Sequence, residues 1–292
     1  MIIQTIKVLT ETLENIRRKK TINFIPTMGN LHEGHLSLIK KSQKKDYVSL
    51  VSIFVNPLQF SEKNDFKNYP RTLKKDLELL KKHNVDLIFL PKENFSHTSL
   101  SIDIGQLGKK LCGKDRPGHF SGVALIILKF LNLIQPHFLI LGQKDYQQIL
   151  VIKKLIKDFF FKTKVISLPT FRENNGLALS SRNRLISDKK KHLTKIIFET
   201  LKAIAFDIQN FGFKKKKLNS IRLKLLKQGF EKVNYIEILK EKNLSKLDSK
   251  PSKSRIFISV TIDGIRLIDN IAIRKKLVEQ KGLIKAVKLN DN

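Results

Sequence analysis

The sequence predicts an α/β fold: a parallel sheet with helices on both faces over residues 1–172, a smaller α+β domain over 173–272, and a charged tail over 273–292. Three observations carry this. Short runs rich in β-branched residues alternate with amphipathic helical stretches through the first half, the order that a parallel sheet with crossover helices requires. The texture changes after Pro169, where a polar, Gly- and Asn-containing segment breaks the alternation. The length, 292 residues with 41% hydrophobic content, suits two modest cores, since domains usually run to ~100–200 residues.

Taken in order, Ile22–Pro26 reads as a short buried strand and Glu33–Lys45 as a helix with Leu36, Leu38 and Ile39 towards its apolar side. Tyr47–Val55 is a strand rich in β-branched residues, and Arg71–Lys82 a helix with Leu73, Leu77 and Leu80 at three- and four-residue spacing. Val85–Leu90 is a strand stopped by Pro91, Gly118–Leu133 mostly helix, Phe138–Leu141 a strand, Asp145–Phe159 a helix and Lys164–Leu168 a strand. Residues Phe171–Arg184 read as a linker or mobile loop. Helices are expected at Lys189–Ile208 and Ser220–Gln228, and strands at Tyr235–Leu239 and Ile256–Ile262. The pair Asp263-Gly264 is a hairpin turn. The tail beyond Ile273 is charged and reads as helical. No internal repeat is present.

Composition excludes several classes. The longest apolar stretch, Val123–Ile134, is too short to span a membrane and is broken by Lys129, whereas a span needs ~20 apolar residues. Glu11 and Glu14 fall where a signal peptide would be apolar. A single cysteine, Cys112, forbids an intramolecular disulfide and argues against a cysteine metal site, so a reducing, cytoplasmic location is expected. The net charge of +31 invites a nucleic-acid or anionic-membrane reading. Of the 57 basic residues, however, 11 are arginine and so 46 are lysine, scattered over helix faces as at Lys40–Lys41 and Lys189–Lys191. This is the pattern of AT-rich coding rather than of arginine forks interleaved with aromatics. The dense run Lys214–Lys217 reads as a solvated loop or helix start.

In a parallel sheet, ligands sit at the carboxyl ends of the strands, which directs attention to the polar clusters there. The first is Pro26-Thr27-Met28-Gly29-Asn30-Leu31-His32-Glu33-Gly34-His35, a strand end, a tight turn and a helix start. Free N–H groups at a helix start attract phosphate, and His32 and His35, three apart, share one side of that turn. A zinc site would prefer histidines four apart, and a phosphate-binding Walker loop would need Lys-Ser or Lys-Thr where His35-Leu36 stands. The second cluster, Asn56-Pro57-Leu58-Gln59, offers amides suited to hydroxyl and carboxylate recognition, or ordinary turn chemistry around proline. The third, Arg116-Pro117-Gly118-His119-Phe120-Ser121-Gly122, has an arginine that can face an anion or solvent. The fourth is Gly142-Gln143-Lys144-Asp145-Tyr146-Gln147-Gln148, where Asp145 can cap a helix and Lys144 can meet phosphate. The fifth, Leu179-Ser180-Ser181-Arg182-Asn183, is either a phosphate clamp or a polar linker.

The H-x-G-H pattern with its preceding glycine resembles the signature of the nucleotidyltransferase superfamily. Together, PTMGNLHEGH, VSIFVNPLQF, RPGHF, GQKDYQQ and GLALSSRN resemble the pantothenate synthetase family in order and spacing, and Arg266-Leu267-Ile268-Asp269-Asn270 looks like that family's usual ending. The resemblance covers about residues 1–272. It implies a Rossmann-like sheet and an ATP-dependent ligase joining pantoate to β-alanine through an enzyme-bound pantoyl adenylate, with release of pyrophosphate and AMP. It implies ATP binding by Met28, Gly29, Asn30, Leu31, His32, Glu33, Gly34 and His35, by Gly142, Gln143, Lys144 and Asp145, by Phe171, and by Leu179, Ser180, Ser181 and Arg182. Pantoate would meet Asn56, Gln59 and Gln148, with β-alanine also near Gln59. The catalytic set would be His35, His32, Lys144 and Arg182, with the Ser180–Arg182 loop as a lid. Mg²⁺ accompanying ATP and a homodimer are implied too; no protein metal site, nucleic acid or membrane is expected.

Three departures from the family pattern stand out: a shortened Pro91–Gly113 segment, Cys112 in place of an acidic residue, and the longer tail. The rival readings fit less well. Another H-x-G-H nucleotidyltransferase would not need the amides Asn56, Gln59 and Gln148. A class I aminoacyl-tRNA synthetase fragment would carry a lysine-bearing K-M-S-K-S loop rather than Ser180-Ser181-Arg182-Asn183. A basic nucleic-acid binder would leave all five clusters unexplained.

Overall fold

The computed structural model describes residues 1–212, 215–247 and 253–274. They fall into two compact units: Met1–Arg172 with Leu179–Asn183, and Glu173–Ala178 with the chain from Arg184 onward.

The first unit contains strands β1 (Ile2–Ile3), β2 (Thr21–Thr27), β3 (Tyr47–Ile53), β4 (Leu87–Phe89), β5 (Phe138–Gly142) and β6 (Lys164–Leu168). Its helices are α1 (Ile6–Arg17), α2 (Glu33–Ser42), α3 (Lys63–Lys67), α4 (Leu73–Lys82), α5 (Leu111–Asp115), α6 (His119–Ile134) and α7 (Tyr146–Asp158). The sheet order is β1-β4-β3-β2-β5-β6, and every neighbouring pair is parallel. The chain therefore builds outward from β2 through β3 to β4, then crosses back to start again at β5 on the other side of β2. That reversal makes a crevice at the carboxyl ends of β2 and β5.

Local chemistry explains the elements. Helix α1 starts at Thr5, whose hydroxyl accepts the N–H of Val8 at 3.3 Å, and it buries Leu9 and Leu13 while Glu11 and Glu14 stay exposed. Helix α6 is apolar on most of its surface and buries Phe120, Val123, Ile126, Ile127, Phe130 and Leu131 among others. Its one lysine, Lys129, reaches out to donate to the carbonyls of Phe95 and His97 at 2.8 Å each, so the charge sits at the edge of the apolar layer. Phe130 packs on Phe24 and Phe95 with ring centroids 5.1 and 5.0 Å apart. On the opposite layer Ile25, Ile39, Val51 and Leu80 are fully buried in one cluster.

The second unit has helices α8 (Lys191–Phe211) and α9 (Lys215–Lys227) and strands β7 (Lys232–Lys240), β8 (Ser254–Ile262) and β9 (Ile265–Ile273). The strands form an antiparallel sheet in the order β7-β8-β9. Ile256, Ile258, Val260 and Ile262 of β8 are fully buried with Leu201 of α8. Asp263 and Gly264 both have positive φ, 52° and 69°, the conformation of a two-residue hairpin turn. The Arg266–Asn270 motif lies on β9, where buried Asn270 accepts from the buried guanidinium of Arg255, which also pairs with Glu241 at 2.9 Å. In the lysine run 214–217, residue 214 lies outside the described residues, and α9 begins at Lys215, earlier than expected. Ile273 closes β9, so the expected tail starts one residue later, and beyond Arg274 it lies outside the described residues.

One boundary needs correction. The Ser-Ser-Arg loop was expected on the smaller domain, but Leu179–Asn183 belongs to the first unit. Leu179 N–H donates to Phe171 O at 3.0 Å, and Ser181 is hydrogen-bonded twice to Asn30, once through each residue's backbone carbonyl. These bonds to the strand-end loop outweigh the segment's place in the sequence.

Candidate active site

A cleft of about 260 Å³ opens at the β2/β5 crevice, and every residue lining it belongs to the first unit. The first, second, fourth and fifth clusters contribute Met28, His32, Gly34, His35, Asn56, Gln59, Gly142, Lys144, Asp145, Gln148 and Leu179–Arg182. Phe171 lines it as well, with Arg116 and His119 from the third cluster and an apolar wall including Phe54, Val123 and Ile127. Gly29, Asn30, Leu31, Glu33 and Gln143 are outside the lining.

After β2 the backbone makes two successive left-handed residues, Gly29 (φ 76°) and Asn30 (φ 49°). This aims the N–H groups of Asn30 and Leu31 at one point, where the buried carboxylate of Asp76 on α4 accepts them at 2.9 and 2.8 Å. The Thr72 hydroxyl donates to the same carboxylate at 3.1 Å. These two N–H groups are thus spent on the protein itself, and Leu31 turns its side chain into the core. Asp76 acts as an internal anion that fixes the loop ahead of the histidines.

His32 and His35 stack with ring centroids 4.1 Å apart. His35 Nδ1 accepts the backbone N–H of His32 at 3.3 Å, which puts the neutral ring's proton on Nε2 and leaves Nε2–H as the donor. Burial holds both imidazoles well below their ordinary value: His32 at about 4, with Lys144 as the next cause, and His35 at about 3, helped by His32 and Lys144. Both are neutral donors at neutral pH. A Cβ on Gly34 would lie 2.9 Å from Cε1 of His32, so a side chain there would push that ring from its place.

The amide cluster is held from beneath. Buried Asn56 accepts from Leu58 N–H at 3.1 Å and donates to Gly122 O at 3.1 Å, so it fixes the short turn Pro57–Gln59. The Gln59 side chain contacts Met28 Sδ and Asn56, while its backbone carbonyl is gripped by Arg116 Nη2 at 2.9 Å and His119 Nδ1 at 2.7 Å. In the fourth cluster the two glutamines part company. Gln148 lines the cleft one turn after Lys144, whereas buried Gln147 donates to the carbonyls of Leu107 and Lys110 and accepts from Cys112 N–H, tying down the 107–112 segment. Cys112 itself is buried as a thiol.

In the fifth cluster, Arg182 Nη2 lies 3.0 Å from each carboxylate oxygen of Asp65, and its guanidinium sits 5.7 Å from the ring centre of Tyr69. Tyr69 is hydrogen-bonded to Ser181, and burial pushes its phenol up. Among the described residues, no group of three or more His, Cys, Asp or Glu is placed to hold a metal ion. Sequence reasoning missed Asp65, Tyr69 and Asp76. The available signal was the run Tyr69-Pro70-Arg71-Thr72 between α3 and α4.

Known proteins resemble this chain over most of its length. The family model described as pantoate-beta-alanine ligase matches residues 1–272. The pantothenate synthetase of Buchnera aphidicola subsp. Acyrthosiphon pisum (strain 5A) is 41% identical over 278 residues, covering 92% of this chain and 97% of the relative. That of Acinetobacter baylyi is 38% identical over 277 residues, covering 93% and 98%. Among solved structures, pantothenate synthetase from Thermus thermophilus superposes with a TM-score of 0.85 at 32% identity, covering 93% of this chain and 99% of that one. The pantoate-beta-alanine ligase from Francisella tularensis, complexed with beta-gamma ATP and beta-alanine, gives 0.79 at 39% identity, covering 93% and 97%. With a family match over residues 1–272, relatives near 40% identity and a shared fold, the chain belongs to the pantoate-beta-alanine ligase family.

Proposed function

We propose that this protein condenses pantoate with β-alanine, using ATP and releasing AMP and pyrophosphate through a pantoyl adenylate. The observation that carries the reading is that His32, His35, Lys144 and Arg182 line the same small cleft as Gln59 and Gln148. Cationic and N–H donors suit a triphosphate, and amides beside an apolar wall suit a branched hydroxy acid.

In the first step an oxygen of the pantoate carboxylate attacks the α-phosphorus. The new C–O–P linkage forms as the bond to the bridging oxygen breaks, and pyrophosphate leaves with the electron pair. The carboxylate is already ionised at neutral pH, so no strong base is needed. The work is to hold two anions together and offset charge as it grows. His35 Nε2–H, Lys144 and Arg182 do this on the phosphate side. His35 is a donor without being a cation, so ATP does not have to displace a proton equilibrium to use it. In the second step the neutral amine of β-alanine attacks the acyl carbon, the C–N bond forms, AMP leaves with the C–O electron pair, and the amine loses a proton. Gln59, gripped by Arg116 and His119, orients pantoate and then the amine. Magnesium arrives with ATP as part of the substrate and supplies further charge neutralisation.

The same reading makes the protein a cytoplasmic homodimer. No helix among the described residues is long and apolar enough to cross a membrane. Strand β6 ends the sheet with half-buried Val165, Ile166 and Leu168, an edge that a second copy can cover. The reaction is tested by AMP release with pantoate, β-alanine and ATP, each omitted in turn. Full release requires all three; release that is indifferent to pantoate contradicts the assignment.

A further inference from the structure

We infer that Asp65 is a positioning residue for Arg182, holding that arginine to the wall of the cleft built around Gln59. The inference rests on the reading of Arg182 as a phosphate-side group. Asp65 itself is outside the cleft lining, whereas the two arginines that pair with it, Arg182 and Arg116, both line it. Its carboxylate is 3.0 Å from Arg182 Nη2 through either oxygen and 4.0 Å from Arg116 Nη2. Arg116 donates from the same nitrogen to Gln59 O at 2.9 Å. One carboxylate therefore joins the Ser-Ser-Arg loop to the turn that carries Gln59.

The platform under Asp65 is built for this. Asp65 lies on α3, only five residues long, which has little stability of its own. Its neighbour Phe66 packs edge-on to Phe60 with centroids 5.4 Å apart, and Phe60 in turn packs on buried Tyr69 at 5.5 Å. Arg71 locks the end of the helix by donating to the carbonyls of Phe66, Lys67 and Tyr69 at 3.0–3.1 Å. On the far side, Tyr69 faces the Arg182 guanidinium and bonds Ser181.

The charges bear on what Asp65 contributes. The Arg182 and Asp65 side chains are 27% and 36% exposed, so their pairing adds little to fold stability. An anion behind a phosphate-binding arginine also opposes phosphate binding. Asp65 therefore acts through orientation: it occupies one nitrogen of the guanidinium and fixes the plane in which the remaining donors point.

The test is a double-mutant cycle on ATP–pyrophosphate exchange in the presence of pantoate, with Asp65→Asn and Arg182→Ala, alone and combined. D65N is expected to lower exchange turnover about fivefold, the span of one partly exposed charge pair, while the KM for ATP stays level or falls because a repelling charge has gone. In the R182A background D65N should change nothing further. A merely structural Asp65 would shift the melting temperature and leave this split in kcat and KM absent. If R182A is impaired but D65N exchanges like the wild type, or if the two losses multiply, the inference is wrong and the reading of Arg182 stands. If R182A itself exchanges normally, the reading of Arg182 fails and the inference with it.

Discussion

Replacing Gly122 by alanine should damage substrate recognition far more than folding. Gly122 sits on α6 directly beneath the Pro57–Gln59 turn. A Cβ there would lie 2.0 Å from Leu58 O, 2.3 Å from Leu58 C and 2.8 Å from Gln59 N. Unstrained contacts of this kind are 3.4 Å or longer, and the obstructing atoms are backbone, which cannot rotate aside. The turn must therefore retreat by about 1 Å or more, against the bond from Asn56 to Gly122 O that holds it down. Overpacking of this kind costs ~1–3 kcal/mol, and alanine returns ~1 kcal/mol through its better helix propensity. The net loss of stability is about 0–2 kcal/mol, which leaves the protein folded. Function is less forgiving, because a displacement of about 1 Å in a positioning group costs ~10²-fold. Initial-rate kinetics should show kcat/KM for pantoate down by about that factor, with a much smaller rise in the KM for ATP, since His32, His35 and Lys144 do not ride on the turn and Met28 and Arg182 meet it only through the Gln59 side chain and Asp65. A variant within threefold of wild type for pantoate, with an unchanged melting temperature, would refute the idea that this contact sets the position of Gln59.

Three further outcomes follow from the geometry. Asp76→Asn keeps one acceptor but turns an NH₂ group towards the N–H pair of Asn30 and Leu31. It should cost ~1–3 kcal/mol in urea unfolding and raise the KM for ATP, and unchanged stability would show that the loop does not depend on that carboxylate. The histidine pair makes stability depend on pH. Their folded values, about 4 and about 3, lie below the unfolded value near 6.5, so the unfolded chain binds more protons between those limits. Stability should fall as pH drops from about 7 to about 5, more gently in His35→Ala, and identical slopes for the two proteins would contradict the buried neutral pair. At neutral pH, His35→Ala should lose ~10²–10³-fold in turnover with ATP binding largely kept, because its donor meets charge that grows in the transition state; near-normal turnover would remove His35 from the mechanism.

Much of the first unit was legible because strand and helix periods differ and both are sustained there. β6 runs over the expected residues Lys164–Leu168, and β3 and α7 differ from expectation by a residue or two at their ends. The two-residue β1 and five-residue α3 and α5 carry too few positions for any period to register. Helix α1 was passed over although its Ile6, Leu9, Leu13 and Ile16 spacing was there to read. The polar clusters were visible as departures from pattern at strand ends. Asp76 was not: within Leu-Lys-Lys-Asp-Leu-Glu-Leu-Leu-Lys-Lys it looks like one more charge on a solvated face, yet it is 2% exposed. Asp65 was hidden for the same reason. The home of the Ser-Ser-Arg loop was illegible too, because it is set by hydrogen bonds between Asn30 and Ser181, 151 residues apart.

The central claim is that pantoate and ATP react first and that the amine enters afterwards. Exchange of labelled pyrophosphate into ATP tests it most directly, with the protein, MgATP and pantoate present and β-alanine withheld. A stepwise adenylate predicts rapid exchange that needs pantoate and does not need β-alanine. Exchange that appears only when β-alanine is added would contradict the account, even if pantothenate proves to be the product.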